Sequence, residues 1–214
     1  MGRPESVRGV VFDFDGTLCD TEGENVLLCQ RVLRELGAEV SVRELEVTLT
    51  GGDDVVTVPP LLEKYGAHGT IEDYERLRDS CYRTYAEADL ALEPGACELL
   101  EGLRARGIKL AVASMTPARC ILTAFNRLGI LHLFDAVVCG DMVRNRKPDP
   151  EPYLTALALL GVAPEDAVVF EDSPTGIAAG KAAGCHVIAY TGCSIAQDVS
   201  AADEVTATFV GFEL

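Results

Sequence analysis

Residues 10–20 read VVFDFDGTLCD. An apolar run meets two aspartates, Asp13 and Asp15, separated only by Phe14, and Gly16 follows at once. Carboxylates repel one another and resist burial. An acid pair where a buried strand ends therefore needs a compensating cation or a chemical task. At the two-residue period of a strand both acids would point to the same side. Gly16 lets the chain turn away immediately afterwards.

The first run spans 9–13 (GVVFD), and others of the same character lie at 108–113 (IKLAVA), 136–139 (AVVC), 167–171 (AVVFE) and 186–190 (HVIAY); each reads as a buried parallel strand. Helical patterns fall between the later runs, at 95–106, 117–128, 150–160 and 174–183. This alternation predicts an α/β fold with a doubly wound, Rossmann-like parallel sheet. The first strand stands apart from that rhythm. Residues 22–36 and 71–88 carry helical spacing instead, with Gly51-Gly52 and Pro59-Pro60 punctuating shorter elements between them. The expected organisation is a catalytic core of 1–19 and 90–214 with a helical cap of 20–89 inserted after strand one. The residues before Val7 read as a loose tail.

Bulk properties narrow the function. The 214 residues are 48% hydrophobic and 24% charged, enough for a substantial core. The formal net charge is −16, which repels nucleic acid and anionic lipid, so neither is expected as a partner. A small anionic substrate remains open if a metal or a few cations reverse the field in one pocket. The 8 cysteines form no CxxC pair and the three histidines no ligand spacing, which fits reduced thiols in a cytoplasmic protein. No signal peptide or membrane span is apparent, and a monomer is the default expectation.

In open α/β sheets ligands bind beyond the carboxyl ends of the strands. The first run delivers Asp13 and Asp15 there. The second delivers Ser114, followed by Met115 and Thr116. The loop after the third carries Arg144, Arg146, Lys147 and Asp149, and the fourth ends in Glu171-Asp172. Four carboxylates in one crevice, with no histidine or cysteine among them, call for a hard divalent cation and favour Mg²⁺. Ser114 and Lys147 are donors suited to phosphate. The inventory points to phosphoryl chemistry. Ser114 also reads as a helix cap ahead of Pro117, and Glu171-Asp172 as an acidic cap for the helix starting near Pro174; both are compatible with binding roles.

The motifs resemble those of the haloacid dehalogenase superfamily, in the branch that holds β-phosphoglucomutases and small sugar-phosphate phosphatases. DxDGT stands at Asp13-Phe14-Asp15-Gly16-Thr17, a strand-ending serine at Ser114, a lysine ahead of Pro-Asp-Pro at Lys147, and an acidic pair at Glu171-Asp172. The resemblance covers about 8–20 and 92–190. It implies that Asp13 attacks phosphorus to give an aspartyl-phosphate. Asp15 would protonate the leaving oxygen and then deprotonate water. Ser114 and Lys147 would grip the phosphoryl group, with Gly16, Thr17 and Met115 also lining the substrate site. Asp13, the Asp15 backbone carbonyl and Asp172 would hold Mg²⁺, with Glu171 in or beside that shell. An acid at position 15 points to a phosphate ester, because the dehalogenase and phosphonatase branches lack it.

Relatives differ in what accepts the phosphoryl group. The mutases have a histidine where Asn25 stands, and an arginine in the stretch that aligns with TGGDDVV, where Asp53 and Asp54 stand. An acid there would repel a second phosphate. The expectation is therefore a Mg²⁺-dependent phosphatase of small phosphorylated metabolites, sugar phosphates first. A phosphosugar mutase is the alternative, and a non-catalytic binding module a third reading.

Overall fold

The computed structural model describes residues 2–49, 54–78 and 81–214. The chain divides into two compact units, Met1–Asp20 with Leu90–Leu214, and Thr21–Asp89.

The larger unit begins with β1 (Gly9–Phe12). The smaller unit then carries α1 (Glu22–Glu35), α2 (Val42–Thr48), α3 (Asp54–Tyr65), α4 (Ile71–Arg78) and α5 (Cys81–Glu87). The larger unit resumes with α6 (Ala96–Ala105), β2 (Lys109–Ala113), α7 (Ala118–Leu128), β3 (Ala136–Val138), α8 (Glu151–Leu160), β4 (Ala167–Glu171), α9 (Pro174–Ala182), β5 (His186–Tyr190) and β6 (Glu204–Thr206).

All six described strands are parallel, in the order β3-β2-β1-β4-β5-β6. The strands are apolar throughout because both faces of the sheet are covered. On one face Val11, Ala111, Val169 and Val187 pack with Tyr153, Ala156 and Leu157 of α8 and Ile177 of α9. Phe12 and Phe170, one residue further along their strands, point to the other face. Their rings stack at 5.0 Å, and Phe209 and Phe212 each meet Phe170 at 5.5 Å.

In the smaller unit, α1 packs against α2, α4 and α5. The buried Tyr74 hydroxyl lies 3.1 Å from Cys29 Sγ, and Gln30 donates to the Val40 carbonyl at 2.8 Å. Ser41 caps α2 by accepting from the Glu44 amide.

Several expectations change. Pro59 and Pro60 lie inside α3 rather than breaking it. Each removes one intrahelical donor, owed to the Val55 and Val56 carbonyls. Val55 and Val56 are exposed, while Val58, Leu61 and Leu62 hold the buried face. The helical pattern at 71–88 resolves into α4 and α5, flanking residues 79–80, which lie outside those described. The edge strand β6 has no apolar run of its own to announce it. The N-terminal segment is tied down: Arg3 forms an ion pair with Glu204 of β6 and donates to the Glu213 carbonyl. Among the described residues no helix is long and apolar enough to cross a membrane.

Phe170 is fully buried between three other rings. Phe170→Ala should cost about 3–5 kcal/mol, through lost transfer energy and the cavity left behind. Denaturant titration should show a lower midpoint at unchanged slope.

Candidate active site

Sheet order places the acids. The strand order reverses between β1 and β4, which is where ligand crevices form in such sheets. Phe12 pairs with Phe170, so the next residues along, Asp13 and Glu171, meet at the carboxyl ends. The Asp13 amide donates to the Phe170 carbonyl at 2.9 Å and continues the ladder. β2 flanks β1 on the other side and brings Ser114 up beside them.

Lys147 lies between Asp13 and Glu171. Its Nζ is 2.6 Å from Asp13 Oδ1 and 2.6 Å from Glu171 Oε1, and its side chain is only 5% exposed. Burial works against the ammonium charge, but Asp13 and Glu171 outweigh it and raise the Lys147 pKa above its ordinary value. Burial likewise opposes charge on Glu171; Lys147, the Ser173 amide and Tyr153 prevail and hold it low. Asp13 goes the other way. Burial pushes it well up, Lys147 opposes this only in part, and Glu171 and Asp15 add to the rise. One lysine thus serves both acids at the same distance, and Glu171 has four further donors.

Glu171 was expected in or beside a metal shell, and its oxygens are engaged elsewhere. Oε1 accepts from Lys147 and from Tyr153 at 2.9 Å. Oε2 accepts the amides of Asp172 and Ser173 at 2.9 Å and the Ser173 hydroxyl at 3.0 Å. The geometry makes it the anchor of Lys147 and of the first turn of α9. Ser173, rather than the acidic pair, is the side-chain cap of that helix, accepting from the Gly176 amide at 3.1 Å.

Asp15 is turned toward β2. Its Oδ2 accepts from Ser114 at 3.2 Å and from Thr116 at 2.7 Å. Asp172 is buried, takes the Thr17 hydroxyl on Oδ1 at 3.2 Å and the Gln197 amide on Oδ2 at 2.8 Å. Thr17, expected to line the substrate site, is fully buried and orients an acid instead. Gly16 has φ +78°, and a side chain there would run into the Asp172 carboxylate. Glycine is needed both for the turn and for that approach. Met115 is half-buried; its carbonyl accepts from the exposed Arg146 at 3.3 Å and leaves no room for a side chain at Gly140. Cys19, next to the motif, is buried and pushed up to about 12 by burial first and Asp15 second, an unreactive thiol at neutral pH.

The four acids therefore have different surroundings: Glu171 and Asp13 share Lys147, Asp15 faces two hydroxyls, and Asp172 takes Thr17 and Gln197 beside Gly16. Among the described residues no three acidic, histidine or cysteine side chains converge into a ready-made metal cage. Mg²⁺ needs no such cage, since it is commonly held by one or two carboxylates, with waters and substrate phosphate completing its shell. The oxygen-only donors of Asp13 and Asp172 fit that ion.

Thr116 was placed at this edge by the sequence but given no role; Tyr153, Ser173 and Gln197 were not foreseen as parts of the cluster. Tyr153 reads as an ordinary core aromatic, and nothing in the loop after β5 marks Gln197. In the smaller unit, Asp54 forms an ion pair with Arg78, which offsets the repulsion expected of that acid; Gly51, Gly52 and Asp53 lie outside the described residues.

Comparison with known proteins shows the family. The sequence profile of the haloacid dehalogenase-like hydrolases matches residues 10–190. The chain belongs to that family. It is 38% identical over 183 residues to a phosphorylated carbohydrates phosphatase of Thermotoga maritima, covering 85% of this chain and 84% of the relative. It is 30% identical over 211 residues to the phosphoglycolate phosphatase of Escherichia coli, covering 89% and 84%. Among solved structures it is similar to CbbY from Rhodobacter sphaeroides in complex with xylulose-(1,5)bisphosphate, at 28% identity and TM-score 0.82 over 95% of both chains.

A side chain at Gly176 would collide with the Glu171 carboxylate. Helix propensity alone would make Gly176→Ala stabilising by about 1 kcal/mol. The collision should reverse the sign and destabilise by about 1–3 kcal/mol. Thermal unfolding of the variant checks this, a raised midpoint being the contrary outcome.

Proposed function

We propose that the protein is a Mg²⁺-dependent phosphatase of small phosphorylated metabolites, with sugar phosphates as the first substrate class. The observation that carries this is the buried Lys147 bridging Asp13 and Glu171 next to Asp15. The carbohydrate-phosphate and phosphoglycolate phosphatases among its relatives support the same reading.

Asp13 attacks phosphorus and forms an aspartyl-phosphate. Asp15 gives a proton to the leaving ester oxygen, then takes one from the water that attacks the phosphorus of the intermediate. The Ser114 and Thr116 hydroxyls orient Asp15 while it waits. Lys147 offers its ammonium to the phosphoryl oxygens as negative charge builds on them. Asp13, Asp172 and the Asp15 backbone carbonyl would hold Mg²⁺, which when bound supplies the positive charge that keeps Asp13 ionised and neutralises phosphate. Glu171 keeps Lys147 in place and remains charged throughout.

Phosphate release should be measured from a panel of sugar phosphates, phosphoglycolate and other small monoesters, with and without Mg²⁺. Mg²⁺-dependent release is expected, abolished in Asp13→Asn and lowered about 10²–10⁴-fold in Asp15→Asn. Undiminished turnover in Asp13→Asn would refute the covalent route. Silence of the wild-type protein on every ester would refute the phosphatase assignment.

A further inference from the structure

Lys147 has one neighbour that the chemistry above does not use. Tyr153 on α8 is completely buried. Its hydroxyl donates to Glu171 Oε1 at 2.9 Å, the same oxygen that takes Lys147 at 2.6 Å. Its ring lies under the ammonium, with Nζ 4.7 Å from the centroid. A lysine is a compact charge on a flexible stem with about 2 kcal/mol of rotamer entropy. Carboxylates on two sides give it attraction but little direction. A ring face adds a third wall through cation–π attraction.

We propose that Tyr153 is a positioning residue for Lys147: its ring backs the ammonium, and its hydroxyl fixes the Glu171 oxygen on which that ammonium rests. The inference rests on the reading of Lys147 as the phosphoryl grip. Packing alone does not account for the hydroxyl. Tyr153 touches an otherwise apolar cluster of Val11, Ala111, Val169 and Leu157, where a phenylalanine would fill the space. A buried phenol must find an acceptor, and here it finds the carboxylate that anchors the lysine. Burial, then Glu171 and Asp13, raise its pKa well above the ordinary value, so it stays a donor across the working pH range.

An ammonium has three donors. Two are directed at Asp13 and Glu171. With the ring behind it, the third is kept for a phosphoryl oxygen. Glu171 is held at Oε2 by the Asp172 and Ser173 donors, and Tyr153 is the donor that shares Oε1 with the ammonium and sets their mutual direction. The effect should fall on the transition state, where the phosphoryl oxygens are most demanding of donors, more than on substrate binding.

The test compares wild type and Tyr153→Phe with Mg²⁺ and p-nitrophenyl phosphate, together with inhibition by vanadate and by orthophosphate. Phenylalanine keeps the ring, so the fold and the cation–π contact survive. The expected result is a kcat lowered about tenfold with KM unchanged within about twofold, the loss of one hydrogen bond to a charged group. Vanadate, which mimics the five-coordinate transition state, should bind about tenfold more weakly, while orthophosphate inhibition moves little. Tyr153→Leu, lacking the ring as well, should lose more kcat than Tyr153→Phe; if it does not fold, the phenylalanine variant decides alone. Wild-type kcat and vanadate affinity in Tyr153→Phe would overturn the proposal. So would parallel losses of vanadate affinity, orthophosphate affinity and thermal midpoint, which mark a purely structural role. A wild-type protein that releases no phosphate overturns the functional reading itself, and is distinct from either outcome.

Discussion

A single buried ammonium holds the active end of this sheet together. Lys147 sits between Asp13 and Glu171 and offsets the charge of both. Removing a carboxylate from water costs several kcal/mol, and only close pairing with further hydrogen bonds offsets the cost. Glu171 achieves this through five donors: Lys147, Tyr153, two backbone amides and Ser173. Asp13 has the same lysine and less support, and burial raises its pKa accordingly. That difference suits a site that takes further positive charge beside Asp13.

The scaffold builds this imbalance from ordinary parts. Parallel pairing of β1 with β4 sets Asp13 and Glu171 at matching heights. Two glycines then allow close approach, Gly16 against Asp172 and Gly176 against Glu171, where a methyl group would push an acid away. The KPDP turn delivers Lys147, and α8, which follows directly, delivers Tyr153 beneath it. One short run of sequence thus supplies both the cation and the surface that steadies it. The hydroxyls of Ser114 and Thr116 give Asp15 partners that Asp13 lacks, so two carboxylates two residues apart experience different surroundings.

Much of this was legible in the sequence. Buried parallel strands announce themselves as apolar runs, and the residues that end them fall on one edge of the sheet for topological reasons, so Asp13, Asp15, Ser114 and Glu171 could be grouped before any coordinates. What resisted reading depended on side-chain direction. Residue type alone does not separate Glu171 as a lysine anchor from Glu171 as a metal ligand, because both roles ask for a buried carboxylate at a strand end. Thr17 sits inside a motif yet points at Asp172. Tyr153 looks like core because its ring packs in the apolar cluster; only its contacts with Lys147 and Glu171 set it apart. Pro59 and Pro60 misled because local propensity argued against a helix that α3 forms by burying Val58, Leu61 and Leu62. The short β6 has no run of its own and is held from outside by Arg3 and by pairing with β5.

The central claim is that Asp13, poised by Lys147, forms a covalent bond to phosphorus. The most direct test is the stereochemical course of phosphoryl transfer to water, using a substrate made chiral at phosphorus with oxygen isotopes. Two successive in-line displacements, first by Asp13 and then by water, predict net retention of configuration. Net inversion would mean that water attacks the ester in a single step, and would contradict the account.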